Sequence, residues 1–120
     1  MVIMANTLDP DMSCDVAIWH SKTRLTDAEA DHIYSALTDG DTADVEAHPG
    51  IGAFLDELRG RYPDIDTLAE VYPSDAHVLL CMPWSRVVEL MDFAERLAKK
   101  HALVCFDPQS SIILTQAFLE

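Results

Sequence analysis

Three short segments carry side chains able to do chemistry: Trp19-His20-Ser21, Trp84-Ser85-Arg86 and Asp107-Pro108-Gln109. Each follows a stretch that reads as a β-strand. Together they offer an imidazole for proton transfer, a guanidinium and hydroxyls for an anion, a carboxylate, a carboxamide and both tryptophans of the chain. General-base work by His20 needs a nucleophile or an orienting carboxylate within hydrogen-bond reach. No sequence neighbour supplies one, so no catalytic residue is assigned. Ser85 and Arg86 stand where a helix is expected to begin, and unpaired N–H groups with the helix dipole favour an anion there. Trp19, His20, Trp84, Ser85, Arg86, Asp107 and Gln109 therefore form a candidate small-molecule or enzymatic site. The plainer expectation for Arg86 is an ion pair with a carboxylate such as Asp107.

Metal chemistry finds no footing in the spacing. The five histidines, His20, His32, His48, His77 and His101, include no HxH or HxxxH pair, and no cysteine pair joins them. Asp39-Gly40-Asp41-Thr42-Ala43-Asp44 begins like a calcium loop. The fifth and sixth positions hold Ala43 and Asp44, where an oxygen ligand and a turn-forming glycine are needed. There is no glycine-rich phosphate loop, no GxSxG and no CxxC. No metal and no cofactor is expected. Cys14, Cys81 and Cys105 lie far apart among apolar residues and read as buried, reduced thiols.

Charge is the uncommon feature. The 120 residues carry a net charge of −13, yet 49% are hydrophobic, so the chain has the apolar content of a folded domain. Between Asp27 and Asp75 stand 13 acidic residues against Arg59 and Arg61, while the rest of the chain holds 8 acids and 6 bases. Nucleic acid and anionic membrane surfaces are disfavoured, since phosphates need a basic footprint. The excess reads either as a solvated, solubilising face or as a surface that steers a basic protein partner and accelerates its capture. Asp39, Asp41, Asp44, Glu46, Asp64, Asp66 and Glu70 are the candidate partner-binding residues. In this character the chain is similar to the immunity-type inhibitors that neutralise basic toxins. The first basic residue is Lys22 and no apolar run approaches membrane-spanning length, so a cytoplasmic location is expected.

These residues need elements to position them. Residues 1–12 show no periodicity and read as a flexible tail, leaving 13–120 as a single domain. Cys14, Val16 and Ile18 alternate with Ala17 and Trp19, a strand pattern. Thr26 and Glu29 match a capping box opening a helix that Gly40 closes. Pro49 opens a second helix with the apolar stripe Ile51, Phe54, Leu55, Leu58 and Tyr62. The stretch from Asp64 to Pro73 reads either as a helical turn or as an irregular crossing. His77–Met82 is a continuous apolar run, hence a central strand. Ser85 is the expected N-cap of a third, strongly amphipathic helix. Leu103–Phe106 and Ser111–Thr115 form a terminal hairpin. The order β-αα-β-α-β-β gives an α+β or α/β fold with a small mixed sheet of about four strands. Helical crossovers imply parallel neighbours, and then the three chemistry-bearing segments share one sheet edge, where open α/β sheets bind ligands.

Asp15–His20, the second helix with Tyr62-Pro63 and, above all, Trp84-Ser85-Arg86 and Phe106-Asp107-Pro108-Gln109 resemble a set of small bacterial proteins with a WSR…FDPQ pattern. The resemblance implies a single domain of bacterial type and brings no activity with it. A homodimer is a further expectation, its interface built on the C-terminal hairpin and Phe118-Leu119.

Overall fold

Alternation along the first strand sorts its side chains onto two faces of a sheet, and everything else in the fold follows from covering those faces. The computed structural model describes residues 13–116. The expected tail over residues 1–12 and the apolar pair Phe118-Leu119 lie outside them. Strand β1 spans Ser13–Trp19. Val16 and Ile18 are buried in one apolar cluster, and Ala17 and Trp19 in another.

Helix α1, Asp27–Thr38, opens with the expected capping box. Thr26 Oγ1 accepts from the Glu29 N–H at 3.1 Å and Glu29 Oε1 accepts from the Thr26 N–H at 2.8 Å. Gly40, at φ 82°, takes the left-handed conformation that ends it. Helix α2, Pro49–Arg61, has proline in its first turn and buries Ile51, Phe54 and Leu58. The stretch after it resolves into a single-turn helix α3, Ile65–Leu68, and a strand β2, Glu70–Pro73. Strand β3 is His77–Pro83. A 3-10 turn, Trp84–Arg86, leads into helix α4, Val87–Lys100, then strands β4, Val104–Asp107, and β5, Ile112–Thr115.

Among the described residues the fold is α+β with a five-stranded sheet of order β2-β3-β1-β4-β5. Every neighbouring pair is antiparallel. The expected parallel neighbours do not form, and the reason is β2. The connection from β1 runs into β2, and a turn at Ser74-Asp75-Ala76 reverses the chain, so β3 returns antiparallel beside β1. The β3–α4–β4 crossover then spans β1, which lies between its two strands; this is the split β-α-β arrangement.

Helices α2 and α4 cover one face, closing a core of Val16, Ile18, Val78, Leu80, Met82, Phe54, Leu58 and Leu90. Helix α1 alone packs on the other face, over the β4–β5 side, with Ala30 and Leu37 against Trp19 and Phe106. Two glutamines tie distant segments to the sheet. Gln109 accepts from the Asp15 N–H at 2.7 Å and donates to the Asp15 carbonyl at 2.8 Å. Gln116 makes the same pair of bonds to Leu25, at 2.9 and 2.8 Å. Among the described residues no helix is long and apolar enough to cross a membrane.

A candidate cation-binding groove

The antiparallel sheet separates the seven residues expected to converge on one edge. In the register Trp19 pairs with His77 while Ser13 pairs with Pro83, so Trp19-His20-Ser21 and Trp84-Ser85-Arg86 lie at opposite ends of the strands. Trp19 is 0% exposed and belongs to the core, whereas Trp84 is 47% exposed. His20 stacks on His48 with ring centroids 3.8 Å apart. Ser85 does not cap α4, which begins at Val87 after the 3-10 turn with Arg86 in the cap position. The Arg86 guanidinium pairs with Glu89 at 3.1 Å, not with Asp107. Asp107 and Gln109 do meet. The Asp107 carboxylate accepts from the Gln109 backbone N–H at 2.9 Å, from the Gln109 carboxamide and from the Ser110 hydroxyl. It thereby orients the carboxamide that clamps Asp15.

The acidic segment does not form one flank, because α1 and α2 lie on opposite faces of the sheet. Asp64 and Asp66 belong to the α2 face through α3, and Asp66 lies 3.7 Å from Arg59. Glu46 pairs with Lys22 at 3.0 Å beside a recess of about 420 Å³ that Asp44 also lines. Asp39 and Asp41 are exposed in the turn that leaves Thr38, and Glu70 is exposed on β2.

That last group frames a site the sequence did not disclose. On the half of the α1 face that the helix leaves open, a groove of about 250 Å³ runs between α1 and the β2 edge. Its lining includes Asp15, Tyr34, Thr38, Tyr72, Leu79 and Cys81. The register explains the convergence: Cys81 faces Asp15 across one ladder and Glu70 across the other, so the three side chains form one row. Tyr34 from α1 donates to Asp15 Oδ2 at 3.4 Å, and Tyr72 donates to Glu70 at 3.2 Å. Asp15 Oδ1 is buried and takes no hydrogen bond of ordinary geometry. Neither Asp15 nor Glu70 forms an ion pair among the described residues.

The neighbours register that uncompensated charge. Burial first, and then the Asp15 carboxylate, push the Tyr34 phenol and the Cys81 thiol up to about 12 each. Burial, then Asp107 and Asp15, push the Cys14 thiol up to about 11. Cys105 is raised by burial ahead of Glu95 and Asp107. All three cysteines are free thiols, Cys14 and Cys105 buried and Cys81 partly so, and at neutral pH they are protonated and unreactive. No group of three or more His, Cys, Asp or Glu among the described residues could hold a metal ion. The groove's chemistry is that of a negative floor between aromatic and aliphatic walls, which attracts a cation with an apolar stem. A charged residue inside the apolar run Cys14-Asp15-Val16-Ala17-Ile18 was the available signal. Compared with protein-family models, curated proteins and solved structures, the chain matches none.

Proposed function

We propose that this chain is a binding module that captures a basic protein partner on the acidic, half-covered face of its sheet, in the manner of an immunity-type inhibitor. The observation that carries the reading is the Asp15 carboxylate, which has no ion pair among the described residues and whose Oδ1 is buried without a hydrogen bond, in a groove bordered by the Glu70 strand and by the turn bearing Asp39 and Asp41. Several acids elsewhere are engaged in ion pairs: Glu57 by Lys100 and His101, Asp92 by Arg96, and Glu89 by Arg86. Acids without an ion-pair partner keep more of their field for an incoming cation, and such a field raises association rates in a salt-dependent way.

The test is a charge-matched pair of double reversals, with octalysine peptide as the basic probe at low salt. Asp39→Lys with Glu70→Lys alters the groove face. Asp56→Lys with Asp64→Lys makes the same change of charge on the opposite side of the sheet. The first pair is expected to weaken binding by about tenfold or more, the second by about twofold, and both effects shrink as salt is added. Equal losses from the two pairs would mean that the peptide senses only net charge, and the face-specific reading would fall.

A further inference from the structure

We infer that the groove between α1 and β2 is a socket for the ammonium end of a lysine side chain presented by the basic partner. The inference rests on the binding reading above and names the chemical group that the face recognises. A lysine offers a compact point charge on a four-carbon stem, and the groove offers a matching sequence of surfaces. Leu79, Thr38 and Cys81 line a path for the stem, and Tyr34 and Tyr72 line the same groove. The Asp15 carboxylate lies among them, with no counter-charge among the described residues.

An arginine suits the place less well. A guanidinium binds a carboxylate best through two parallel bonds. Here Oδ1 is buried and Oδ2 is shared with the Tyr34 hydroxyl, so the carboxylate presents a single point of approach. A hard metal ion would want several oxygens around it, and the walls are aromatic and aliphatic instead. An anion would meet Asp15 and Glu70 with nothing to offset them.

Gln109 is the positioning residue of this socket. Its carboxamide, itself held by Asp107, fixes both the N–H and the carbonyl of Asp15 and so sets where the carboxylate stands. This assigns work to the Asp107-Pro108-Gln109 turn, whose side chains act on the groove through the Asp15 backbone and do not line it.

The experiment uses n-butylammonium chloride as the isolated group, n-butanol as its uncharged counterpart and octalysine as the partner-like probe. Amide chemical shifts of the full chain are the readout. Butylammonium is expected to saturate in the millimolar range, with shifts concentrated at Asp15, Tyr34, Tyr72 and Cys81, while butanol leaves those signals in place. Asp15→Asn should weaken both cationic probes about tenfold. Leu79→Trp, which fills the groove without changing charge, should do the same and guards against a folding defect in the first variant. Gln109→Ala should weaken butylammonium severalfold with the shifts at the same residues. If octalysine binds through Asp39 and Glu70 while butylammonium moves nothing in the groove, the socket is overturned and the binding face survives. If butylammonium binds and octalysine does not, the partner reading is overturned and the socket belongs to a free amine. Equal effects of butylammonium and butanol would overturn the role of charge.

Discussion

The two faces of one sheet do different work. Under α2 and α4 the side chains of β1 and β3 are all apolar, and Val16, Ile18, Val78, Leu80 and Met82 reach 0% exposure. Under α1 the same strands present Asp15, Ala17 and Trp19, and His77, Leu79 and Cys81. Among the described residues, the two buried polar side-chain atoms left without a hydrogen bond, Asp15 Oδ1 and Trp19 Nε1, lie on this second face. An unpaired buried polar atom costs about 1–3 kcal/mol. The closed face therefore holds the fold together, and the half-open face carries the groups whose needs the fold itself does not meet.

The comparison breaks most directly at its strong end. Phe54 is 0% exposed beneath α2. Truncating Phe54→Ala is expected to cost about 3–5 kcal/mol, through lost burial and the cavity left behind. Leu79→Ala, on the partly exposed groove wall, should cost less than about 1.5 kcal/mol. Urea midpoints with unchanged slopes provide the measurement. If Leu79→Ala costs as much as Phe54→Ala, the half-open face is as structural as the other.

Gln109→Ala comes next. Its carboxamide makes two bonds across 94 residues of sequence to the backbone N–H and carbonyl of one β1 residue, Asp15. Their loss leaves a strand N–H and carbonyl to find water, at about 1–3 kcal/mol. The same urea titration measures it, and a cost below about 0.5 kcal/mol would mean that the clamp is replaced by solvent and positions nothing.

The legibility of these features in the sequence follows the same division. Alternation in β1, the Thr26 and Glu29 box, Pro49 at the head of α2 and the amphipathic α4 are local patterns, and the structure contains all four. Strand β2 was hidden because Glu70-Val71-Tyr72-Pro73 is an exposed edge in which only Val71 is partly buried. A four-residue strand without an apolar face has no periodicity to read. Missing it reversed the inferred direction of β3 and β4 relative to β1, and with that the edge on which loops were expected to meet. Asp107 and Gln109 stood out as chemistry-bearing, yet their target is the backbone of a residue 94 positions away, which only the sheet order brings near. Tyr34, Tyr72 and Cys81 gave no signal, since aromatic and thiol side chains at such positions usually fill cores.

Asp15→Val sharpens the contrast by giving effects of opposite sign. Replacing a partly buried carboxylate that has no ion pair among the described residues with a β-branched apolar residue in a central strand should raise stability by about 1 kcal/mol. The same change should abolish butylammonium binding. Loss of stability together with binding would place Asp15 among the groups that hold the sheet, and the division between the faces would dissolve.

The smallest expected effect concerns pH and again belongs to the α1 face. His77 is buried at the start of β3, its Nδ1 2.7 Å from the Ser74 hydroxyl. Burial holds its pKa below the ordinary histidine value of 6.5, and the nearby Asp75 offsets only part of that. The native state thus resists a proton that the unfolded chain accepts. Its contribution to stability is whole above pH 6.5 and is lost as pH falls from there towards the lowered native pKa. His20, lowered by burial and then by its stacked neighbour His48, adds a slope of the same sign in the same window. The slope cannot exceed about 1.4 kcal/mol per pH unit for each proton. Urea midpoints between pH 7 and pH 5 should fall for the unsubstituted chain and fall less for His77→Gln, whose amide can still meet Ser74. Glu57 is depressed chiefly by its bond from Lys100 and then by that from His101, so its own loss comes below about pH 4.5, outside this window. An unchanged slope in His77→Gln would move the pH dependence away from this residue and onto the partly buried His20.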